Sequence, residues 1–316
     1  MHWLGTVVLT HGREREAYPL LESLLEQGAP ADSVVVVHNP TDPADPPLDV
    51  PDPGIHVLRA ERNRGYAGGM NMGIADRLER GADAVLILTH DIRLREGALS
   101  ALVDAARAAP AYGILAPVQW VRGRGDELFS YGGVMKRNGV TNHICERPEP
   151  TDAGGIARCD WVDGAAMLIR AELVRAAGPF DERFFGYYEE SDFCLRATRL
   201  GWRVGVALGS NVEQAPGIDR RPGAFAYLST RNGLEYARQA VGLRGTLVAL
   251  YVLLRETARE TARWTALRTR HDADAPELTL PKVRLAGMWL GARDWVAGRW
   301  GPPPATLPGM GDYQNV

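Results

Sequence analysis

Three carboxylates and a serine stand in a row at Glu189, Glu190, Ser191 and Asp192, behind Tyr187 and Tyr188 and ahead of a helical pattern whose apolar face is Phe193, Ala197 and Leu200. Acids crowded into a first helical turn repel one another. Beside aromatic rings, at least one is a candidate for a shifted pKa and for moving a proton. The same acids also complement the positive end of a helix, by about 0.3 to 1 kcal/mol each, with no chemistry required. A further carboxylate, Asp91, closely follows the apolar run at 85–88 in LILTHD. The carboxyl end of a parallel strand is where open α/β sheets bind ligands. A single carboxylate there suits a hard divalent cation that takes its other oxygens from a diphosphate and water; an ordinary turn start is the competing reading. The Gly-rich run NRGYAGGMN at 63–71 falls between a strand and a helix, where glycines let backbone amides approach a phosphate or sugar. It is neither a Walker loop nor a GxGxxG fingerprint, and a purely structural turn accounts for it too.

Other chemistries lack their residues. His11, His38 and His56 have no metal-ligand spacing, no GxSxG elbow is present, and Cys145, Cys159 and Cys194 form no CxxC pair. The cysteines fit a reducing compartment. The tryptophans, among them Trp120, Trp161 and Trp202, are core residues by default, although an exposed one would offer a sugar a stacking face.

The elements that must hold these residues alternate. An apolar run at 6–10 precedes leucines at helical spacing (Leu20, Leu21, Leu24, Leu25) and a second run at 34–37, a β-α-β opening. Strands follow at 55–58 and 85–88 around a helix near 70–80, predicting a mainly parallel sheet. Further strands are expected at 114–121, 165–169 and 203–207, with a helix over 190–200. The core closes near residue 217, in two halves at about 1–91 and 92–217. Helical patterns at 224–241, 246–268 and 282–297 make residues 218–316 an α-helical C-terminal extension, and the Pro-rich tail from Pro302 reads as loosely held.

With 316 residues, 45% of them hydrophobic, the chain can bury a sizeable core, and a net charge of -3 provides no basic field for nucleic acid. The N-terminal stretch does not read as a signal peptide. The apolar segment TLVALYVLL at 246–254 is too short to span a bilayer, which needs roughly 18 to 20 residues. It is expected to pack on the core, with peripheral membrane contact or a homodimer through the C-terminal helices as alternatives. A cytoplasmic location follows, at most peripheral at the inner face of the membrane.

Taken in order, these segments resemble the family 2 glycosyltransferases of the GT-A fold, particularly rhamnosyl- and galactofuranosyl-transferase-like members. VVLTHGR, VVVHNPTD, NRGYAGGMNMGI and LILTHD follow the family's succession, and DGAAMLIRAELVRAAGPFDERFFGYYEESDFCLRATRLGW is the most specific match. The resemblance implies an α/β Rossmann-like core that moves a sugar, such as the deoxysugar rhamnose, from a dTDP-, UDP- or GDP-sugar to a saccharide, lipid-linked or natural-product acceptor with inversion. It implies that Thr10, Arg13, His38, Asn39, Asn63, Gly65, Asn71 and His90 lie at the nucleotide sugar, and that Asp91 holds Mg2+ or Mn2+. It makes Glu190 the catalytic base, with Glu189, Asp192 and Asp163 at the acceptor or in support. The chain departs from the family pattern at three points: His38 replaces a base-binding aspartate, Thr89-His90-Asp91 lacks the first acid of a DxD, and Glu213 and Gln214 stand where many members have a histidine. A sugar-nucleotide nucleotidyltransferase would need a Gly-rich, basic loop after the first strand, which THGRERE is not. A non-catalytic sugar-binding protein on a degenerate fold is the other alternative.

Overall fold

The computed structural model describes residues 3–11, 14–40, 48–136, 141–152, 154–215, 222–269 and 279–307; the expected contact Arg13 lies outside them. The chain alternates as anticipated at its start: β1 (Leu4–Thr10), α1 (Glu14–Glu26), β2 (Val34–His38), β3 (His56–Arg59), α2 (Gly65–Glu79) and β4 (Ala84–Thr89). Then come β5 (Arg93–Leu94), α3 (Ala98–Ala108), β6 (Tyr112–Val121), β7 (Leu128–Ser130), β8 (Gly133–Met135), β9 (Thr141–His143), β10 (Ile156–Cys159), β11 (Ala166–Arg170), α4 (Ala171–Ala177), α5 (Glu189–Arg199) and β12 (Arg203–Gln214). Three long helices follow, α6 (Pro222–Val241), α7 (Leu243–Arg268) and α8 (Thr279–Val296).

The main sheet runs β10-β12-β6-β11-β4-β1-β2-β3. β3, β2, β1 and β4 are mutually parallel; the continuous apolar runs of β1, β2 and β4 suit strands buried on both faces, whereas β3 is a half-exposed edge strand. β11 enters antiparallel between β4 and β6, and β12 returns parallel to β6. One apolar layer packs α2 and α5 against the sheet through Val7, Met70, Ile74 and Phe193, and the other packs α1 and α3 through Leu20, Leu24, Leu99 and Leu102.

The Gly-rich run is not a loop. Gly65 to Asn71 already lie in the first turns of α2. A Cβ on Gly69 would stand 2.5 Å from Leu9 Cδ1, and one on Gly73 2.3 Å from Val7 Cγ1. These glycines therefore let the helix lie close on β1, and the close approach is to side chains of the sheet.

The chain divides into two compact units. The first takes in the sheet with residues 189–215; the second comprises Lys136, residues 182–188 and the C-terminal helices. In the second unit α8 crosses α6 closely, because Gly287 and Gly291, one turn apart, bring the helix against the carbonyls of Gly223 and Tyr227. Two expectations fail here. The tail is not loose as far as it is described: Leu307 is 2% exposed and packs with Phe185, Tyr227 and Leu228, because the prolines lead it back onto α6. Nor does the apolar segment of α7 pack inward as a whole. Gly245 and Thr246 are buried, whereas Leu247, Leu250, Tyr251 and Leu254 face solvent, since α6 and α8 cover only the opposite side of the helix.

Candidate active site

The carboxyl ends of three parallel strands bring the expected donor residues together. Thr10 pairs with His38 across β1 and β2, and the His90 amide donates to Leu9 O at 3.1 Å. Asn39, directly after β2, ties the next layer: its Nδ2 donates to Asn63 Oδ1 (3.1 Å) and Gly65 O (3.2 Å), and its Oδ1 accepts from the Arg64 amide (2.8 Å). Asn63 Oδ1 also accepts from the Gly65 amide at 2.8 Å, which closes the start of α2. Gly65 sits there at φ 70°, a value that glycine tolerates best. His38 and Asn39 are buried, and Arg59 reaches His38 Nδ1 at 3.4 Å, so neither residue presents an open face; they form the floor on which this end of the sheet is built. Asn71 is elsewhere. Its amide makes a two-bond clasp with the Phe180 backbone (2.9 and 3.0 Å), fixing α2 to the segment that leads toward α5.

Asp91 stands just beyond β4. Thr89 Oγ1 donates to its Oδ1 at 2.6 Å, and Arg122 caps its backbone carbonyl at 3.2 Å. Arg93, beside it, is held below the ordinary guanidinium range by burial and by Arg122. Glu213, which stands where many family members have a histidine, is ion-paired with Arg95 at 3.1 Å. Among the described residues no three His, Cys, Asp or Glu side chains converge as a ready metal cage. A lone carboxylate oriented by Thr89 still fits Mg2+ or Mn2+ carried in on a diphosphate, since such ions keep water and phosphate oxygens as most of their ligands.

The three-residue segment Asp163-Gly164-Ala165 joins this end of the sheet to the acidic cluster. Ala165 O accepts from the Thr89 amide at 2.9 Å. Gly164 O accepts from Tyr66 Oη at 2.5 Å, and a Cβ on Gly164 would meet Tyr66 Oη at 2.6 Å and Glu190 Cβ at 3.5 Å. Burial and the charges of Glu189 and Glu190 push the Tyr66 phenol well above its ordinary value. It therefore stays neutral and can donate. Tyr66 and Gly164 went unassigned in the sequence; the signal was a tyrosine within the Gly-rich run, legible only once that run is a helix packed over the 163–165 segment.

The carboxylates of the cluster do different things. Glu190 is pushed up to about 7, first by desolvation, then by the charge of Asp163 and more weakly by Asp192; its Oε1 accepts from Ser191 Oγ at 3.2 Å. Asp163 is also raised by burial, while His143, 3.8 Å away, opposes the shift. His143 donates to or accepts from Ser130 Oγ at 3.1 Å and stands edge-on to Trp161, with centroids 4.8 Å apart. Asp192 is buried against Arg196 at 2.8 Å, and Arg196 binds the carbonyls of Ala177 and Pro179. Its carboxylate is a brace for the approach to α5. Glu189 is buried, and its charge acts on Tyr66.

The turn just ahead of α5 is strained. Phe185, Tyr187 and Tyr188 have φ of 66°, 65° and 74°, a left-handed region that bulky residues rarely occupy. In the second unit Asn232 Nδ2 lies 2.8 to 2.9 Å from the carbonyls of Phe184, Gly186 and Tyr187, and Arg231 adds bonds to Phe184 and Arg183. Both clamping side chains are fully buried on α6.

The chain as a whole is similar to known proteins. The chain is 29% identical over 175 residues to the N-acetylglucosaminyl-diphospho-decaprenol L-rhamnosyltransferase of Mycobacterium tuberculosis, covering 48% of this chain and 55% of that one. It thus spans about half the length of that relative. It is 28% identical over 223 residues to the galactofuranosyltransferase GlfT1 of Mycolicibacterium smegmatis, covering 67% and 71%. GalNAc-T7, solved with UDP, GalNAc and Mn2+, shares the fold at a TM-score of 0.59 and 12% identity, over 96% of this chain and 59% of that one. The fold is accordingly GT-A. Residues 6–168, more than half of the sequence, match the pattern described as Glycosyl transferase family 2, and the chain belongs to that family.

Proposed function

We propose that the protein transfers a sugar from a nucleoside-diphosphate sugar to an acceptor hydroxyl by direct displacement, with Glu190 as the base. The observation that carries the reading is the 163–165 segment, which seats a carboxylate raised to about 7 beside the end of the sheet that carries Asp91. In the step, Glu190 takes the hydroxyl proton as the acceptor oxygen attacks the anomeric carbon. The bond from that carbon to the diphosphate oxygen breaks on the opposite face, which inverts the centre. A base poised near neutrality combines a large ionised fraction with the strongest proton affinity that fraction permits. Tyr66 and Asp163 flank the base, and Thr10, His90 and the Asn39–Asn63 layer form the donor end. Asp91, oriented by Thr89, would hold Mg2+ or Mn2+, which when bound offsets charge on the departing diphosphate.

The mycobacterial relative's name specifies L-rhamnose and a diphospho-decaprenol-linked acceptor. For this chain we assign the same classes, a deoxyhexose donor and a polyprenyl-diphosphate-linked saccharide. The test is thermal stabilisation by dTDP-, UDP- and GDP-sugars with Mn2+ or with chelator, followed by transfer of the stabilising donor's sugar to a polyprenyl-diphosphate acceptor. One donor should stabilise the protein in Mn2+ and be turned over. Asp91→Ala should abolish the Mn2+-dependent part of the stabilisation and leave the chelator value unchanged. Binding without turnover would favour a sugar-binding protein, and neither binding nor turnover would remove the transferase reading.

A further inference from the structure

The solvent face of α7 is apolar over three turns. Leu243, Leu247, Leu250, Tyr251 and Leu254 recur at spacings of three and four, so they share one stripe, and all are exposed, Leu243 at 75%, Tyr251 at 66% and Leu254 at 69%. Scattered surface leucines need no explanation, but a continuous stripe of this kind does. Its surroundings are basic. In a chain of net charge -3, α7 carries Arg244, Arg255, Arg259, Arg263 and Arg268 against only Glu256 and Glu260. Both glutamates already have partners within this unit: Glu256 is paired with Arg255 and Arg259, and Glu260 with Arg284 of α8. α8 runs antiparallel beside α7, with Thr257 against Met288 and Glu260 against Arg284. That register puts the exposed Trp289 and Val296 alongside the apolar end of α7.

We infer that α7 docks this protein on the surface of an anionic membrane, with the leucine and tyrosine stripe entering the headgroup boundary and the arginines meeting lipid phosphates. An amphipathic helix with an apolar stripe, a basic flank and a nearby tryptophan has the makeup of an interfacial helix. Among the described residues no helix is long and apolar enough to cross a membrane. A second copy of the chain fits the stripe less well: Glu256 and Glu260 are engaged with Arg255, Arg259 and Arg284, so two such faces brought together would oppose the arginines outside these pairs, Arg244, Arg263 and Arg268. The inference extends the reading of a lipid-linked acceptor and rests on it for its purpose. Its test needs neither donor nor acceptor, so either idea can fail without the other.

The experiment is flotation of the full chain with phosphatidylglycerol-containing vesicles and with pure phosphatidylcholine vesicles, at low and high salt, beside sedimentation velocity without lipid. The protein should float with the anionic vesicles, several-fold less with neutral ones, and less at high salt. A Leu247→Glu/Leu254→Glu variant should lose flotation while keeping the wild-type unfolding midpoint, because both side chains are already in water. Arg244→Glu should weaken flotation without abolishing it. Absence of flotation with anionic vesicles, or equal flotation of the double variant, overturns the proposal. So does a lipid-free dimer that the double variant dissociates, which would assign the stripe to a second copy.

Discussion

Glu190 at the start of α5 and Glu235 within α6 are both carboxylates withdrawn from water, yet they are displaced in opposite directions. Glu235 is drawn down to about 2, chiefly by Arg238, whose Nε and Nη2 donate at 2.9 and 2.7 Å, with Gln239 and Trp295 completing its bonds. Glu190 is driven up to about 7 because desolvation dominates and the strongest charges acting on it, those of Asp163 and Asp192, share its own sign. Burial alone therefore does not mark a reactive acid. What distinguishes the two regions is whether the cation that would stabilise the anion is present: α6 supplies one within a single turn, whereas the arginine nearest in sequence to Glu190, Arg196, is engaged by Asp192.

The comparison breaks most directly at Glu190. Glu190→Gln should lower transfer by about 10²- to 10⁴-fold in single-turnover measurements while donor affinity holds, since only the proton acceptor is lost. Near-normal transfer would remove Glu190 from the mechanism. Next in size is the clamp. Asn232→Ala removes this donor from the Gly186 and Tyr187 carbonyls of a left-handed turn and leaves the Phe184 carbonyl to Arg231, and it should destabilise the protein by about 2 to 3 kcal/mol in urea unfolding. Glu235→Gln should cost less, about 1 to 2 kcal/mol, because Arg238 can return to solvent when its partner is neutral.

The smallest effect is on pH dependence, and it separates the two acids by sign. Glu190 lies above its ordinary 4.5 in the folded protein, so its contribution to stability is greatest below 4.5 and is lost as pH rises through 7. Glu235 lies below 4.5, so its contribution is complete above that value and is lost as pH falls toward 2. Glu190→Gln should consequently be more stable than the wild type at pH 8, by about 1 to 2 kcal/mol, and should flatten the alkaline side of the stability profile. Glu235→Gln should flatten the acid side. Chemical denaturation across pH reads both, and identical profiles for the two variants would erase the distinction.

Much of the scaffold was legible because its signals are local. The runs at 6–10, 34–37 and 85–88 are too apolar to lie anywhere but between two covered faces, and the three C-terminal helical patterns stand within a few residues of α6, α7 and α8. Residues at strand ends, Thr10, His38 and Asp91, follow from those runs by position alone, as does the placing of Glu190 in a first helical turn. What no local pattern carries is the partner of each side chain. Packing decided that the Gly-rich run is helix lying on Leu9 and Val7, that Asn71 clasps Phe180, and that Asp192 belongs to Arg196. Three adjacent acids look alike in one dimension. Their roles separate only when Arg196 returns one turn later to neutralise Asp192, Tyr66 arrives from α2 and Gly164 from the segment ahead of β11, and Glu190 is left partly desolvated among like charges.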